Sequence, residues 1–292
     1  MKIKTSMASR VFDAFNVTLM LILAAVMLYP IVYVASASIS NVGLVVNGTV
    51  KLWPRDLTFI AYERVFADPF IWLSYGNTIR YTVIQTAATL LVTSMMAYPL
   101  AKRRLLGRRT ILLFAAATML FNGGLIPTFL VVKQLGLIDT IWAVIVPTLI
   151  NTWYLFIMRT FFEQLPEELE EAARIDGCGV MGTLLRIVMP LSKPVLMTIG
   201  LFTAVTQWNS FFDALIYLNQ KELYPLQIHL RNIVIAGTAA AQSQGSAGDD
   251  EIMLLETVKY STIMVAALPI LCVYPFIQKY FVQGTMIGGI KG

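Results

Sequence analysis

Hydrophobic and polar positions along this chain do not alternate; they are sorted into blocks. Six stretches, roughly 14–39, 77–101, 110–132, 138–161, 194–217 and 259–281, are apolar and nearly free of charge, and a helix needs about 20 such residues to cross hydrocarbon. Helices are the expected form, because lipid offers unpaired backbone groups no partner and no alternating ten-residue strand pattern recurs. The pattern predicts an all-α, polytopic membrane protein with six transmembrane helices in a single transmembrane domain over residues 1–292. The first block follows Lys2, Lys4 and Arg10 and ends near Ala35-Ser36-Ala37, the outline of a secretory signal. Its apolar run from Ala14 to Val34 exceeds the core of roughly 7–15 residues that such signals carry, so it is read as a span.

Three segments between the blocks differ in kind. Residues 40–76 are interrupted by Gly and Pro and hold Trp53 and Trp72, side chains suited to a membrane–water interface. Residues 218–258 include AGTAAAQSQGSAGDDE at 236–251, a small, polar composition that predicts a flexible loop without a packed core. Residues 162–193 carry start and stop signals for two short helices. Pro166 opens the first, where its missing N–H costs nothing, and Glu167 and Glu168 oppose the positive end of the helix dipole. Leu169, Ala172, Ala173 and Asp176 share one face, with alanine at its centre to admit another surface closely. Gly177 ends the helix in the left-handed region. A second helix is expected from Val180 to Met189, with Met181, Leu184, Leu185 and Val188 on one face and Pro190 as its stop. Ser192 and Pro194 then open the next block. Composition leaves two readings of this acidic pair of helices: a solvated connector, or a surface that another protein reads.

Charge sets the orientation. Lys2, Lys4, Arg10, Lys102, Arg103, Arg104, Arg108, Arg109, Arg159, Arg174, Arg186, Lys193, Lys279 and Lys291 fall on one side of the predicted membrane, 14 of the 22 basic residues. Basic residues beside span ends favour the cytoplasm, and the run KRRLLGRR at 102–109 decides the sense. Both termini are then cytoplasmic. The net charge of +5 is accounted for by this asymmetry and is not read as nucleic-acid binding. A mean hydropathy of +0.70 agrees with the membrane class.

Candidate chemistry is sparse. Cys178, in the acidic segment, and Cys272, inside the last block, are not placed to pair. His229 is the single histidine, so no metal site is expected. No G-x-x-x-x-G-K-[ST] phosphate loop occurs and no catalytic residue is assigned, which puts any ATP hydrolysis on a separate polypeptide. Asp213 is the clearest charge inside a block and has no obvious basic partner there, whereas ion-coupled carriers use relays of such groups. Thr203, Gln207, Ser210 and Asp213 recur at helical spacing, with Trp208, Asn209 and Tyr217 beside them. This stripe faces either a solute path or a neighbouring helix, since such side chains also join helices in membranes. Asn122 with Gly123 and Gly124, ahead of Pro127, marks a place where the third span loosens, beside a path or as a packing kink.

EAARIDG at 171–177, then nine residues, then IVMP at 187–190 resembles the EAA signature of bacterial ABC importer permeases, E-A-A, three residues, Gly, nine residues and I-x-L-P. Met189 stands at the leucine position with similar volume. NGGLIPT at 122–128, KQLGLIDTIWAVIVP at 133–147, QWNSFFDALIYL at 207–218 and YPFIQKYFVQGTMIGGIKG at 274–292 are similar to the carbohydrate-uptake branch, the permeases resembling the maltose importer's second subunit. The likeness runs from Pro54 to Gly292, and it looks most like permeases for complex oligosaccharides or polysaccharide fragments, of the lipoprotein-associated and alginate-importer kind. It implies a type I ABC importer permease fold in a bacterial cytoplasmic (inner) membrane. It also implies that Glu171, Ala172, Ala173, Asp176, Gly177, Ile187 and Pro190 belong to a coupling element seated in a groove of a cytoplasmic ATPase. The implied partners are a second homologous permease, a dimer of ABC ATPase subunits that binds ATP and Mg, an extracytoplasmic solute-binding protein and a carbohydrate. No cofactor is expected on this chain itself. The tail from Gln283 to Gly292 is expected to reach the ATPase dimer. Asn122, Thr203, Gln207, Trp208, Asn209, Ser210 and Asp213 are the candidates to meet solute. A secondary transporter, a membrane scaffold subunit and an ABC permease for a non-sugar solute are the alternatives.

Overall fold

A computed structural model describes residues 7–242, 254 and 257–272, and every regular element among them is helical. In chain order these are α1 (Met7–Ser38), α2 (Val42–Val46), α3 (Ile60–Ala67), α4 (Pro69–Ala101), α5 (Arg108–Leu120), α6 (Leu125–Gln134) and α7 (Ile141–Ile145). A 3-10 turn (Val146–Thr148) follows, then α8 (Thr152–Phe162), α9 (Glu167–Ile175) and α10 (Val180–Thr183). A π-helical stretch (Leu184–Val188) leads into α11 (Met189–Leu191), α12 (Lys193–Trp208), α13 (Phe212–Tyr217), α14 (Leu226–Gln242) and α15 (Thr257–Cys272).

Among the described residues, the first two predicted blocks are single long helices. α1 and α4 are each long and apolar enough to cross a membrane, and α4 begins at Pro69, eight residues before the predicted start. The third block is two helices, α5 and α6, bent by 116°. The break lies at Asn122-Gly123-Gly124: Gly124 has φ +87°, and the Asn122 Oδ1 accepts the Gly124 N–H at 2.9 Å, a local turn that competes with helix. The fourth block bends by 55° between the 3-10 turn and α8. Asn151 restarts the helix there, its Oδ1 accepting the N–H groups of Trp153 at 2.9 Å and Tyr154 at 3.3 Å. The fifth block stops at Trp208 and resumes at Phe212, because Asn209 turns its side-chain amide back onto the Val205 carbonyl at 2.8 Å. α15 is shorter, and residues 273–281 of the sixth block lie outside the described residues. The tail at 274–292, with its resemblance to the carbohydrate-uptake branch and its expected reach to the ATPase, and most of the polar run after Gln242 lie outside them too.

Two expectations need correction. Residues 226–242, placed in a flexible loop, form α14, whose first turn buries Leu226 and Ile228. The Ala-rich stretch favours helix, and the polar residues beyond it hid that. Pro190 does not stop the second helix of the acidic pair. The chain widens to π geometry just before it, the Met189 N–H donating to the Leu184 carbonyl, and continues to Leu191 before turning 85° into α12. One extra residue in that turn relieves the clash a proline otherwise makes with the preceding turn.

The chain divides into two compact units. In the first (Met1–Ile71 with Leu230–Leu268), the segment after α1 folds back on it. Ala37, Val45 and Val50 form the core with Tyr260 against them, and the Ser36 hydroxyl donates to the Leu52 carbonyl at 2.7 Å. The Ser261 hydroxyl donates to the Ser38 carbonyl at 3.1 Å, tying α15 to the end of α1. The most apolar window of α1 is not buried at all within the chain. In the second unit (Trp72–His229 with Pro269–Gly292), the largest core joins Ala97, Leu100, Leu155, Met158, Phe162, Leu184, Val188 and Ile199. That core draws on α4, α8, the π stretch and α12, so the second helix of the acidic pair packs with α4, α8 and α12.

Candidate functional site

The acidic pair is a helix, a tight turn and a second helix. Glu167, Glu168 and Glu170 occupy the first turn of α9, where the dipole favours them. At its other end Gly177 has φ +75°. The Gly177 N–H donates to the Arg174 carbonyl at 3.0 Å and the Cys178 N–H to the Ala173 carbonyl at 2.8 Å, the two bonds of a glycine-terminated Schellman turn. Gly182 leaves space for the half-buried Cys178 side chain: a Cβ there would lie 2.7 Å from the Cys178 sulfur. The turn is therefore set by glycines on both sides of Cys178.

The predicted shared face of α9 divides in two. Ala173 and Glu170 are buried, at 5% and 7% exposure, whereas Leu169, Glu171, Ala172, Asp176 and Gly177 face outward. Ile175 is 87% exposed and Val180 69%, so the tip of the hairpin presents apolar side chains with carboxylates beside them. Exposed apolar side chains rimmed by charge are one form of interaction surface. Farther on, Ile187 is half-buried and Pro190 exposed.

Inside the unit, Glu170 meets the end of α4. Its carboxylate accepts the Tyr98 hydroxyl at 3.1 Å and pairs with the Lys102 ammonium, which also lies 5.0 Å from the centre of the Tyr98 ring. A second charged node closes α4 from another side. The Leu100 carbonyl accepts the Nε–H groups of Arg108 at 2.8 Å and Arg159 at 3.4 Å, and both arginines pair with Glu163. Basic groups on the last carbonyls of a helix are favourable. Lys102 and Arg108 thus hold the end of α4 in place. Nothing in the sequence pairs Glu170 with residues 68 and 72 positions away.

The candidate path residues do not form one stripe. Thr203, Gln207 and Trp208 are buried, the Thr203 hydroxyl donating to the Ile199 carbonyl at 2.9 Å and the Trp208 ring lying edge-on to Tyr75. Beyond the break, Asn209 is exposed, while Ser210 and Asp213 are half-buried. Asn122 is exposed at the α5–α6 bend, and no hydrogen bond joins it to the α12–α13 residues among those described.

The second unit thus joins bent apolar helices to a short acidic hairpin. No family model matches the chain. Protein LplC of Bacillus subtilis (strain 168) is 44% identical over 285 residues, covering 98% of this chain and 96% of that protein. The polygalacturonan/rhamnogalacturonan transport system permease protein YtcP of the same organism is 42% identical over 286 residues, 98% of this chain and 100% of its own. A chain from the crystal structure of a bacterial ABC transporter involved in the import of the acidic polysaccharide alginate superposes with a TM-score of 0.87 at 36% identity, covering 96% of this chain and 100% of that one. The chain belongs to the ABC importer permeases of the carbohydrate-uptake branch. Such permeases are transport subunits of the inner membrane, and they work with a second permease, ATPase subunits and a binding protein. In this permease the hairpin at 167–191 contains the stretch 171–190 that resembles the EAA signature.

Proposed function

We propose that this permease carries oligosaccharides inward and that α9 and the turn after it receive the movement of a separate ATPase dimer. The outward tip of the hairpin supports this most directly: Ile175 and Val180 are apolar and exposed, beside the acidic residues Glu171 and Asp176, on a turn held by Gly177. That surface has the shape and chemistry for a groove in a folded protein. In this reading Glu171, Ala172, Asp176 and Gly177 lie at the docked face. Ala173 supports the face from behind, and Ile187 and Pro190 carry the hairpin into α12. ATP and Mg are bound and consumed by the ATPase, since this chain has no phosphate loop. Both termini and the hairpin lie in the cytoplasm. A homologous permease supplies the other half of the pathway, and a solute-binding protein delivers cargo from outside.

The solute class rests on the relatives. YtcP is named for polygalacturonan and rhamnogalacturonan, and the superposed transporter for alginate; fragments of acidic polysaccharides are the cargo we infer for this chain. Asn122, Asn209, Ser210 and Asp213 are the path candidates with exposed surface, while Thr203, Gln207 and Trp208 stand behind them. Asp213→Ala is expected to lower uptake while the complex still assembles; normal uptake would assign that carboxylate a structural role. The deciding experiment purifies the permease from its native membrane with its partners and measures ATP hydrolysis with the binding protein over a panel of oligouronides and neutral oligosaccharides. Oligouronides should stimulate hydrolysis. Stimulation by neutral sugars alone would overturn the solute class, and a preparation without an ATPase would overturn the coupling role.

A further inference from the structure

Glu170 stands one position before the EAA segment, and its place is unusual for a carboxylate. It is 7% exposed in a chain whose other α9 carboxylates face outward. Its two oxygens are taken by separate donors, the Tyr98 hydroxyl at 3.1 Å on one and the Lys102 ammonium on the other. Both donors belong to the last turn of α4 and the residue after it, four positions apart, so one side chain of α9 grips one face of the α4 terminus. The ammonium over the Tyr98 ring closes the triangle.

Stability alone does not call for this arrangement. The Lys102 side chain keeps 28% of its surface exposed, and an ion pair open to water on one side contributes little. What the charged trio adds is direction. The other inward residue of α9 is Ala173, a small apolar contact that permits sliding and rotation. Two directional contacts to the two oxygens of one carboxylate oppose both. α4 is a single helix of 33 residues, about 50 Å of rod at 1.5 Å per residue. Pro99 lies in the gripped turn, and a displacement applied there reaches the rest of α4 through Ala97 and Leu100, which pack in the core of the unit. We propose that Glu170 is a positioning residue that locks α9 to the terminus of α4 through Tyr98 and Lys102, so that ATPase-driven movement of α9 reaches α4 instead of being lost as slippage. This rests on the permease reading above and names the joint within it.

The test uses the complete complex in proteoliposomes, with solute imported per ATP hydrolysed as the readout and ATPase recovered per permease as the assembly control. The parent is measured first: without ATP-dependent uptake, the permease reading fails before the joint is examined. With uptake established, Glu170→Gln should reduce solute moved per ATP about fivefold, the low end of typical coupling between sites, with ATPase recovery unchanged. Tyr98→Phe, which removes one oxygen, should give a smaller loss. The paired reversal Glu170→Lys with Lys102→Glu should recover more than half of what either single reversal loses. A parental ratio in Glu170→Gln overturns the proposal, as does a loss of recovery or thermal stability with the ratio intact. A paired reversal no better than the single ones overturns it too. If Glu170→Gln fails to assemble, Tyr98→Phe decides, a parental ratio there counting against the joint.

Discussion

Gly177 carries a backbone φ of +75° with nothing within 4 Å of where a Cβ would stand. A side chain there meets no clash inside this chain and is opposed only by the backbone. For a β-branched residue that opposition is about 1–2 kcal/mol, while asparagine enters the left-handed region more readily. Gly177→Val should therefore lower the amount of ATPase recovered with the permease, and Gly177→Asn should keep most of it. Equal recovery of ATPase with both variants and with the parent would detach the turn from docking. Gly177 was legible in the sequence because a glycine after a periodic helix is a local signal. Glu170 was not, because burial of a carboxylate depends on Tyr98 and Lys102, which only the tertiary fold brings near.

Among the elements, the long apolar blocks were legible and their breaks were less so. Length and hydropathy report the total of apolar residues, and that total is insensitive to a bend. The Asn122-Gly123-Gly124 break carried a visible signal, whereas the stop at Asn209 depends on a side chain choosing the Val205 carbonyl over solvent. The predicted stripe from Thr203 to Asp213 assumed one continuous helix, and the interruption after Trp208 removes that assumption. Packing between elements brings a further expectation. On α12, a Cβ at Gly200 would lie 3.3 Å from Leu90 and 3.6 Å from Thr86, both on α4. Small residues let helices approach this closely in membranes. Gly200→Ala should be tolerated by a shift of the Leu90 tip. Gly200→Leu should force the helices apart and cost about 1–3 kcal/mol, read as a lower melting temperature of the purified complex. Unchanged melting of Gly200→Leu would mean that α4 and α12 are not closely packed there.

For the whole molecule, the orientation rests on the distribution of Lys and Arg and has a direct check. Trp53, 81% exposed, and Leu106, 92% exposed, lie on opposite sides of the expected membrane. In a variant with Cys178 and Cys272 replaced by serine, Trp53→Cys should react with an impermeant maleimide on intact cells and Leu106→Cys only after permeabilisation. The reverse pattern would turn the protein over. If an ATPase reads the exposed tip of the 167–191 hairpin, the two proteins must touch there. Ile175 projects from that tip at 87% exposure. A photoreactive amino acid at position 175, irradiated in native membranes, should yield a cross-linked product containing the ATPase subunit, and the same probe at position 53 should not. Cross-links from position 175 only to lipid, or none to an ATPase, would contradict the account.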